Sequence, residues 1–203
     1  MVKRLRQMRI ISADTSERRR VIYVDRVIEQ LISSNPASSS IATNGMLSSV
    51  VEDKIKSMGL TLPIASLAPK GNYIPYNITG KYVYLSGHLP QPAEGDLVKG
   101  RLGENMSVEE GAHAARLCGL QMVASMKAAT GGELSKIKKI VKVVGFVAST
   151  NDFTKQPSVL NGCSDFLCDI FGVDIGRHVR SAIGVNVLPL GVPVEIEAIV
   201  ELY

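Results

Sequence analysis

The segment VRSAIGVNV, residues 179–187, carries a single charge among small and apolar side chains. Read as a strand, its alternation puts Ile183, Val185 and Val187 on one face and Arg180, Ala182, Gly184 and Asn186 on the other. A guanidinium above Ala182 and Gly184 has space beneath it for a ligand, and its planar fork suits a carboxylate. A surface arginine capping a sheet edge would show the same pattern. The last segment, VEIEAIVEL, alternates too. Val194, Ile196, Ala198, Val200 and Leu202 form a core face, while Glu195, Glu197 and Glu201 point the other way. Most such glutamates are simply solvated, but one lying close to the arginine could hold a water for attack on an electrophilic carbon.

Other reactive side chains have less context. His88 and His178 are acid–base groups by type, yet neither has a partner at a telling spacing, and both read as structural. Ser86 stands in Leu-Ser-Gly rather than in the GxSxG elbow that activates a nucleophilic serine. Gly71-Asn72-Tyr73 is no phosphate loop, and neither GxxxxGK[ST] nor GxGxxG occurs, so nothing implies a nucleotide or other cofactor. The three cysteines, Cys118, Cys163 and Cys168, form an odd set without CxxC spacing. They read as free thiols serving as small buried hydrophobes, and with no pair of histidines at ligand spacing no metal site is expected.

The elements that must position these groups follow from local signals. A short helix is predicted over 48–58, ended by Gly59. The segment NYIPYNITGKYVYLSGHLP alternates strand formers around Thr79-Gly80-Lys81, which predicts a hairpin. Ser107 followed by Glu110 is a capping box opening a long helix that Gly131-Gly132 stops. The run KIKKIVKVVGFVAS reads as a strand entering a core, and Pro157 opens a second helix closed by Gly172. Two strands follow, separated by LPLGVP. Strands, helix, strand, helix, strands is the order of an α+β sheet with both helices on one face. If the last two strands paired as a hairpin, Arg180 would lie opposite Glu201 and Glu195 opposite Asn186. The two candidates would then be roughly 20 Å apart at about 3.3 Å per residue. Either those strands are not simple neighbours, or the two side chains meet across a subunit interface.

At 203 residues with 45% hydrophobic residues, the chain can bury a real core in one domain plus an appendage. No apolar run approaches the roughly 18 residues of a membrane span. The first thirty residues hold eight Lys and Arg against four Asp and Glu, so the whole net charge of +4 sits there and the remainder is neutral. Nucleic-acid binding draws on clustered cations, so a neutral domain argues against RNA or DNA as partner. Residues 1–46, with arginine clusters and the stretch SSNPASSS, read as a leader separate from a domain over 47–203. A mitochondrial transit peptide, a disordered tail and translated upstream sequence all fit that composition, although four acids weaken the first. The expected compartment is the cytoplasm or, with a transit peptide, the mitochondrion.

The segment RSAIGVNVLPLGVPVEIEAIVEL resembles the signature region of the reactive intermediate deaminase (Rid, or YjgF) family. GKYVYLSGHLP resembles that family's Ser-Gly strand pair, and KIVKVVGFVASTNDF its central strand and following Asp-Phe turn, so the likeness covers most of 65–203. It implies a chorismate-mutase-like α+β fold, a homotrimer with clefts between subunits, and hydrolysis of carboxylate-bearing enamines or imines to 2-oxo acids and ammonia without a cofactor. Arg180 matches the family arginine that grips the substrate carboxylate, and Glu195 the glutamate that orients the water. Tyr73, Ser86 and Asn161 match pocket positions. Ala182 stands where many members have Cys and would act through its backbone N–H, while His88 replaces Gln and Asn72 replaces Pro. The longer stretch between Asn161 and Arg180 marks a distinct subgroup with a reshaped pocket. Some members are described as endoribonucleases or translation inhibitors, and others would be small-acid binders.

Overall fold

The sheet starts at the turn predicted around Thr79-Gly80-Lys81. Strands β1 (Tyr76–Thr79) and β2 (Tyr82–His88) pair antiparallel with Thr79 opposite Tyr82. Gly80 takes a φ of 59° at the first central position, as a type II′ hairpin requires. A computed structural model describes residues 50–65 and 71–203 of the chain, and the predicted leader lies outside them. Before the hairpin, helix α1 runs over 50–57, with Gly59 just beyond it as expected.

Helix α2 (Val108–Ala129) opens on the predicted capping box. The Ser107 hydroxyl accepts from the Glu110 backbone N–H at 3.2 Å, and the Glu110 carboxylate accepts from the Ser107 N–H at 2.8 Å. Hydrogen bonding from Ser107, its backbone N–H first and then its side chain, holds the Glu110 carboxyl below its ordinary range. Strand β3 (Ile137–Ala148) follows, then helix α3 (Gln156–Phe171), with Pro157 in its first turn and Gly172 closing it. A single turn, α4 (Val173–Gly176), leads into β4 (Val179–Val185). One 3₁₀ turn, Pro189–Gly191, then separates β4 from β5 (Val194–Leu202).

The strand order is β1-β2-β5-β3-β4. β5 is antiparallel to both β2 and β3, and β4 is parallel to β3. The last two strands are therefore not a hairpin, because β3 lies between them. Parallel neighbours need a crossover, and α3 supplies it between β3 and β4. α2 does the same between β2 and β3, which run the same way on either side of β5. Val83, Leu85, Ile140, Val143, Val147, Val194, Ile196 and Val200 from the sheet join Ala115, Cys118 and Met122 from α2 and Leu160, Cys163 and Phe166 from α3 in one buried core. The opposite sheet face stays open in the single chain, with Tyr84 45%, Ile183 42% and Val179 67% exposed. Cys118 and Cys163 are buried as predicted, and burial pushes the Cys163 thiol up to about 12. Cys168 is only partly buried, which corrects the reading of all three as core residues.

The two long helices touch where Gly162 of α3 meets the backbone of Ala112 on α2, so closely that a Cβ would collide with the Ala112 carbonyl. Backbone cannot yield as a side-chain tip does. Helix propensity alone would reward Gly162→Ala by about 1 kcal/mol. The expected result has the opposite sign: overpacking at the crossing costs about 1–3 kcal/mol. The melting temperature should fall by several degrees relative to the parent chain in a thermal scan.

Candidate active site

β4 is an edge strand, and its register beside β3 sets Arg180 against Val143, Ala182 against Gly145 and Gly184 against Val147. Val143 and Val147 are buried in the core, so Arg180, Ala182 and Gly184 share the face that looks toward the helices. There α3 reaches over Arg180. Nη2 donates to Asn161 Oδ1 at 2.8 Å and to the Pro157 carbonyl at 3.2 Å, and Nη1 donates to Ser164 Oγ at 2.9 Å. Asn161 and Ser164, three residues apart, share one helix face. Every one of these acceptors is neutral, and among the described residues no carboxylate pairs with Arg180. A guanidinium has five N–H donors, and three are engaged. A held, uncompensated cation with donors to spare is what an anionic ligand requires.

Glu195 occupies a different place. It pairs with Phe146 of β3, so its side chain starts from the open face of the sheet. Its carboxylate lies against Gly87, where any side chain would collide with it. Between Leu85 and His88 the β2–β5 register slips, since those two residues oppose Ala198 and Ile196; Ser86 and Gly87 form the resulting bulge. Ser86 fastens the bulge to the chain entering β1: its N–H donates to the Pro75 carbonyl at 3.0 Å and its hydroxyl to the Ile74 carbonyl at 2.7 Å. That brings Tyr73, half exposed, to the same edge. His88 ties the bulge to α2, with Nδ1 on the Ser86 carbonyl and Nε2 on Ser125 Oγ, each at 2.7 Å. Burial holds His88 down at about 4, so it is neutral at physiological pH and structural in role.

Of the three glutamates on β5, Glu201 is committed to Lys81 at 2.6 Å and Lys138 at 3.0 Å. Glu197 is exposed. Glu195 is partly buried with no cation beside it among the described residues. Loss of hydration chiefly, and then the charge of Glu197, raise its carboxyl above the ordinary range.

The candidates thus fall into two groups. Arg180, Asn161 and Ala182 stand at the β4 edge on the helix side, and Glu195, Ser86 and Tyr73 at the β2–β5 bulge. Arg180 is level with Val143 of β3 and Glu195 with Phe146. Three residues along the strand and two strand spacings across place their backbones about 14 Å apart, on opposite faces of the sheet. One chain does not bring them together.

A family model described as "YjgF/chorismate mutase-like, putative endoribonuclease" matches residues 52–202. The chain belongs to this family. Protein TCP17 of Trypanosoma cruzi is 43% identical over 152 residues, which are 75% of this chain and 94% of that protein. A crystal structure of a protein of unknown function from Agrobacterium tumefaciens is similar at 39% identity and a TM-score of 0.75, covering 81% of this chain and 99% of that one. Another, titled as a putative endoribonuclease from Shewanella oneidensis, is similar at 37% identity and a TM-score of 0.70, covering 75% and 99%. The YjgF resemblance and the α+β, chorismate-mutase-like fold read from the sequence are borne out.

Three residues that shape this YjgF site escaped sequence reasoning. Gly87 was visible only as part of a Ser-Gly pair. Ser164 stands one helical turn beyond Asn161. His178, which sequence reasoning set aside, lies two residues before Arg180, just ahead of β4, and its Nε2 is 3.0 Å from Ser164 Oγ. Spacing rules for helix and strand could have flagged both.

Glu195 is open to direct measurement. In a carboxyl-carbon NMR titration it should ionise above the 4.5 of an ordinary glutamate, and Glu197→Gln should bring the midpoint down by removing a like charge. A midpoint unmoved by that substitution would leave burial as the sole cause.

Proposed function

We propose that the chain hydrolyses 2-imino acids, and the enamines that tautomerise to them, to 2-oxo acids and ammonia. The observation that carries this reading is Arg180: a cation held by three neutral acceptors, with donors free for one carboxylate. Membership in the YjgF family supports it, as does the charge pattern. Residues 31 onward are net neutral, which offers RNA no cationic surface of the usual kind.

The chemistry is simple in outline. Arg180 holds the carboxylate and so fixes the adjacent C=N carbon. Water adds to that carbon, and its proton passes by way of the Glu195 carboxylate to the imine nitrogen, giving a tetrahedral aminoalcohol. Glu195 then takes the hydroxyl proton and hands it to nitrogen as the C–N bond breaks, so that the carbonyl forms and ammonia leaves. Glu195 must be ionised to accept the proton, and Arg180 of the neighbouring subunit favours that form in the cleft, against the burial that raises the carboxyl in the single chain.

Because one chain keeps Arg180 and Glu195 apart, the reading requires a homotrimer in which each cleft takes Arg180 from one subunit and Glu195 from its neighbour. The small carboxylate-bearing imine is the partner, and Tyr73, Ser86 and Asn161 line the cleft with the Ala182 backbone.

The test is ammonia release from freshly generated 2-iminopropionate and 2-iminobutyrate, run beside an RNA-cleavage assay on the same preparation. A charge-assisted Arg–carboxylate contact worth about 1.5–3 kcal/mol corresponds to a loss of about 10- to 150-fold in kcat/KM for Arg180→Ala. Arg180→Lys should fail nearly as badly, since an ammonium cannot reproduce the fork. Unchanged efficiency in either variant overturns the assignment, and RNA cleavage without imine turnover would favour the nuclease reading.

Subunit sharing has its own test. Arg180→Ala and Glu195→Ala chains, each inactive alone, are co-refolded. Mixed trimers contain clefts with both wild-type residues, so a fraction of activity should return. Mass-spectrometric proof of mixed trimers without any recovery would refute a shared cleft.

A further inference from the structure

We propose that Ser164 and His178 are positioning residues that set the plane of the Arg180 guanidinium, and that they do so only while the His178 ring is neutral. The proposal rests on the reading of Arg180 as a carboxylate anchor.

The argument begins with which atoms can donate. His178 Nδ1 lies 2.6 Å from the Gly176 carbonyl, which can only accept, so Nδ1 carries a hydrogen. In the neutral ring Nε2 is then an acceptor. It lies 3.0 Å from Ser164 Oγ, whose own hydrogen must point at it. The lone pairs of that oxygen are turned away from the ring, toward Arg180 Nη1 at 2.9 Å. The chain has one consistent direction: Arg180 donates to Ser164, Ser164 to His178, and His178 to Gly176. Asn161 and the Pro157 carbonyl hold Nη2 in the same way. With three of about five donors fixed on α3, the remaining two have one orientation, set by the helix rather than by a flexible side chain.

A second proton on His178 breaks this order. Nε2–H would become a donor facing Ser164 Oγ, the serine hydrogen would lose its acceptor, and a second cation would stand two residues from Arg180. The charged groups around the ring already oppose that proton. Arg180 lies two residues on, at the start of β4, and Lys139 approaches from β3 with its ammonium on the Asp174 carbonyl of α4. α3 presents the neutral Ser164, and α4 the Gly176 carbonyl. Burial foremost, with Arg180 and Lys139 adding, holds the ring below its ordinary value despite the bond to Gly176. Carboxylate affinity should therefore be full at neutral pH and fall below it, a loss on KM rather than on kcat.

The experiment uses the full chain and calorimetric binding of 2-oxobutyrate between pH 5 and 8, with KM and kcat for 2-iminobutyrate at pH 7.5. Ser164→Ala should weaken binding and raise KM about tenfold, in the range of one lost hydrogen bond to a charged group, while kcat moves far less. Ser164→Thr, which keeps the hydroxyl, should recover most of the loss. His178→Gln, which offers an acceptor but cannot titrate, should flatten the decline of affinity below pH 6.5. Wild-type affinity for Ser164→Ala, or an undiminished pH dependence in His178→Gln, overturns the proposal. Arg180→Ala separates the two readings: if it abolishes binding while Ser164→Ala does not, the positioning role alone fails, and if it leaves binding intact the anchor itself is wrong. Circular dichroism of each variant and the carbon-13 titration of His178 in the parent chain guard against a folding artefact, since a ring titrating at or above 6.5 would also refute the proposal.

Discussion

Both halves of the candidate site are set by pairing with β3. This strand binds β4 along one edge and β5 along the other, so the levels of Arg180 and Glu195 are read off a single backbone, at Val143 and Phe146. Side chains alternate along a strand and agree across a rung. An odd offset of three therefore puts the two residues on opposite faces, whatever their rotamers. No local adjustment can undo this, because a one-residue slip of β4 would also carry Ala182 and Gly184 off the helix face and turn Ile183 into it. The core thus locks in a separation that the chemistry must overcome by assembly.

Each half carries charge that its own chain leaves uncompensated. Arg180 has neutral acceptors only, and Glu195 has a bulge, a glycine and a neighbouring glutamate. Their surroundings differ in the sense that matters for catalysis. The guanidinium keeps its charge in any setting, so its environment serves to orient it. The carboxyl can lose its charge, and partial burial raises its pKa toward the range where a proton can be taken and returned. Gly87 belongs to this second half as much as Glu195 does. The bulge at Ser86-Gly87 removes the side chain that would block the carboxylate, and His88 and Ser86 pin the bulge from either side.

Sequence reading reached what was local. The Thr79-Gly80-Lys81 turn, the Ser107–Glu110 cap and the glycine after each helix are decided by neighbours within four residues, and all stand where the residues predict. Alternation also separated Arg180, Ala182 and Gly184 from the apolar residues of β4. Strand order was out of reach, because β3 enters between β4 and β5 through partners far apart in the chain. For the same reason the three acceptors on Arg180, supplied from 16, 19 and 23 residues upstream, could not be listed beforehand beyond Asn161, which the family resemblance suggested. Glu201 illustrates the limit from the other side. By pattern it equals Glu195, and only the approach of Lys81 and Lys138 removes it from the candidates.

The open sheet face bears on the proposed assembly. A face that met only water would carry polar side chains at alternate positions of every strand. Here Tyr84, Val179 and Ile183 are among the exposed apolar residues of that face, and Lys142 and Glu197 stand on it without an ion-pair partner among the described residues. Such a mixture suits a surface that another copy covers, with aromatic and β-branched groups for burial and single charges for register. Covering it would also dry the Glu195 side of the sheet, while the arriving arginine would favour the ionised carboxylate against that loss of water. On the proposed reading, assembly therefore does two things at once: it brings an arginine from the neighbouring chain to the glutamate, and it withdraws the glutamate further from water, so that proton transfer and substrate binding become competent together.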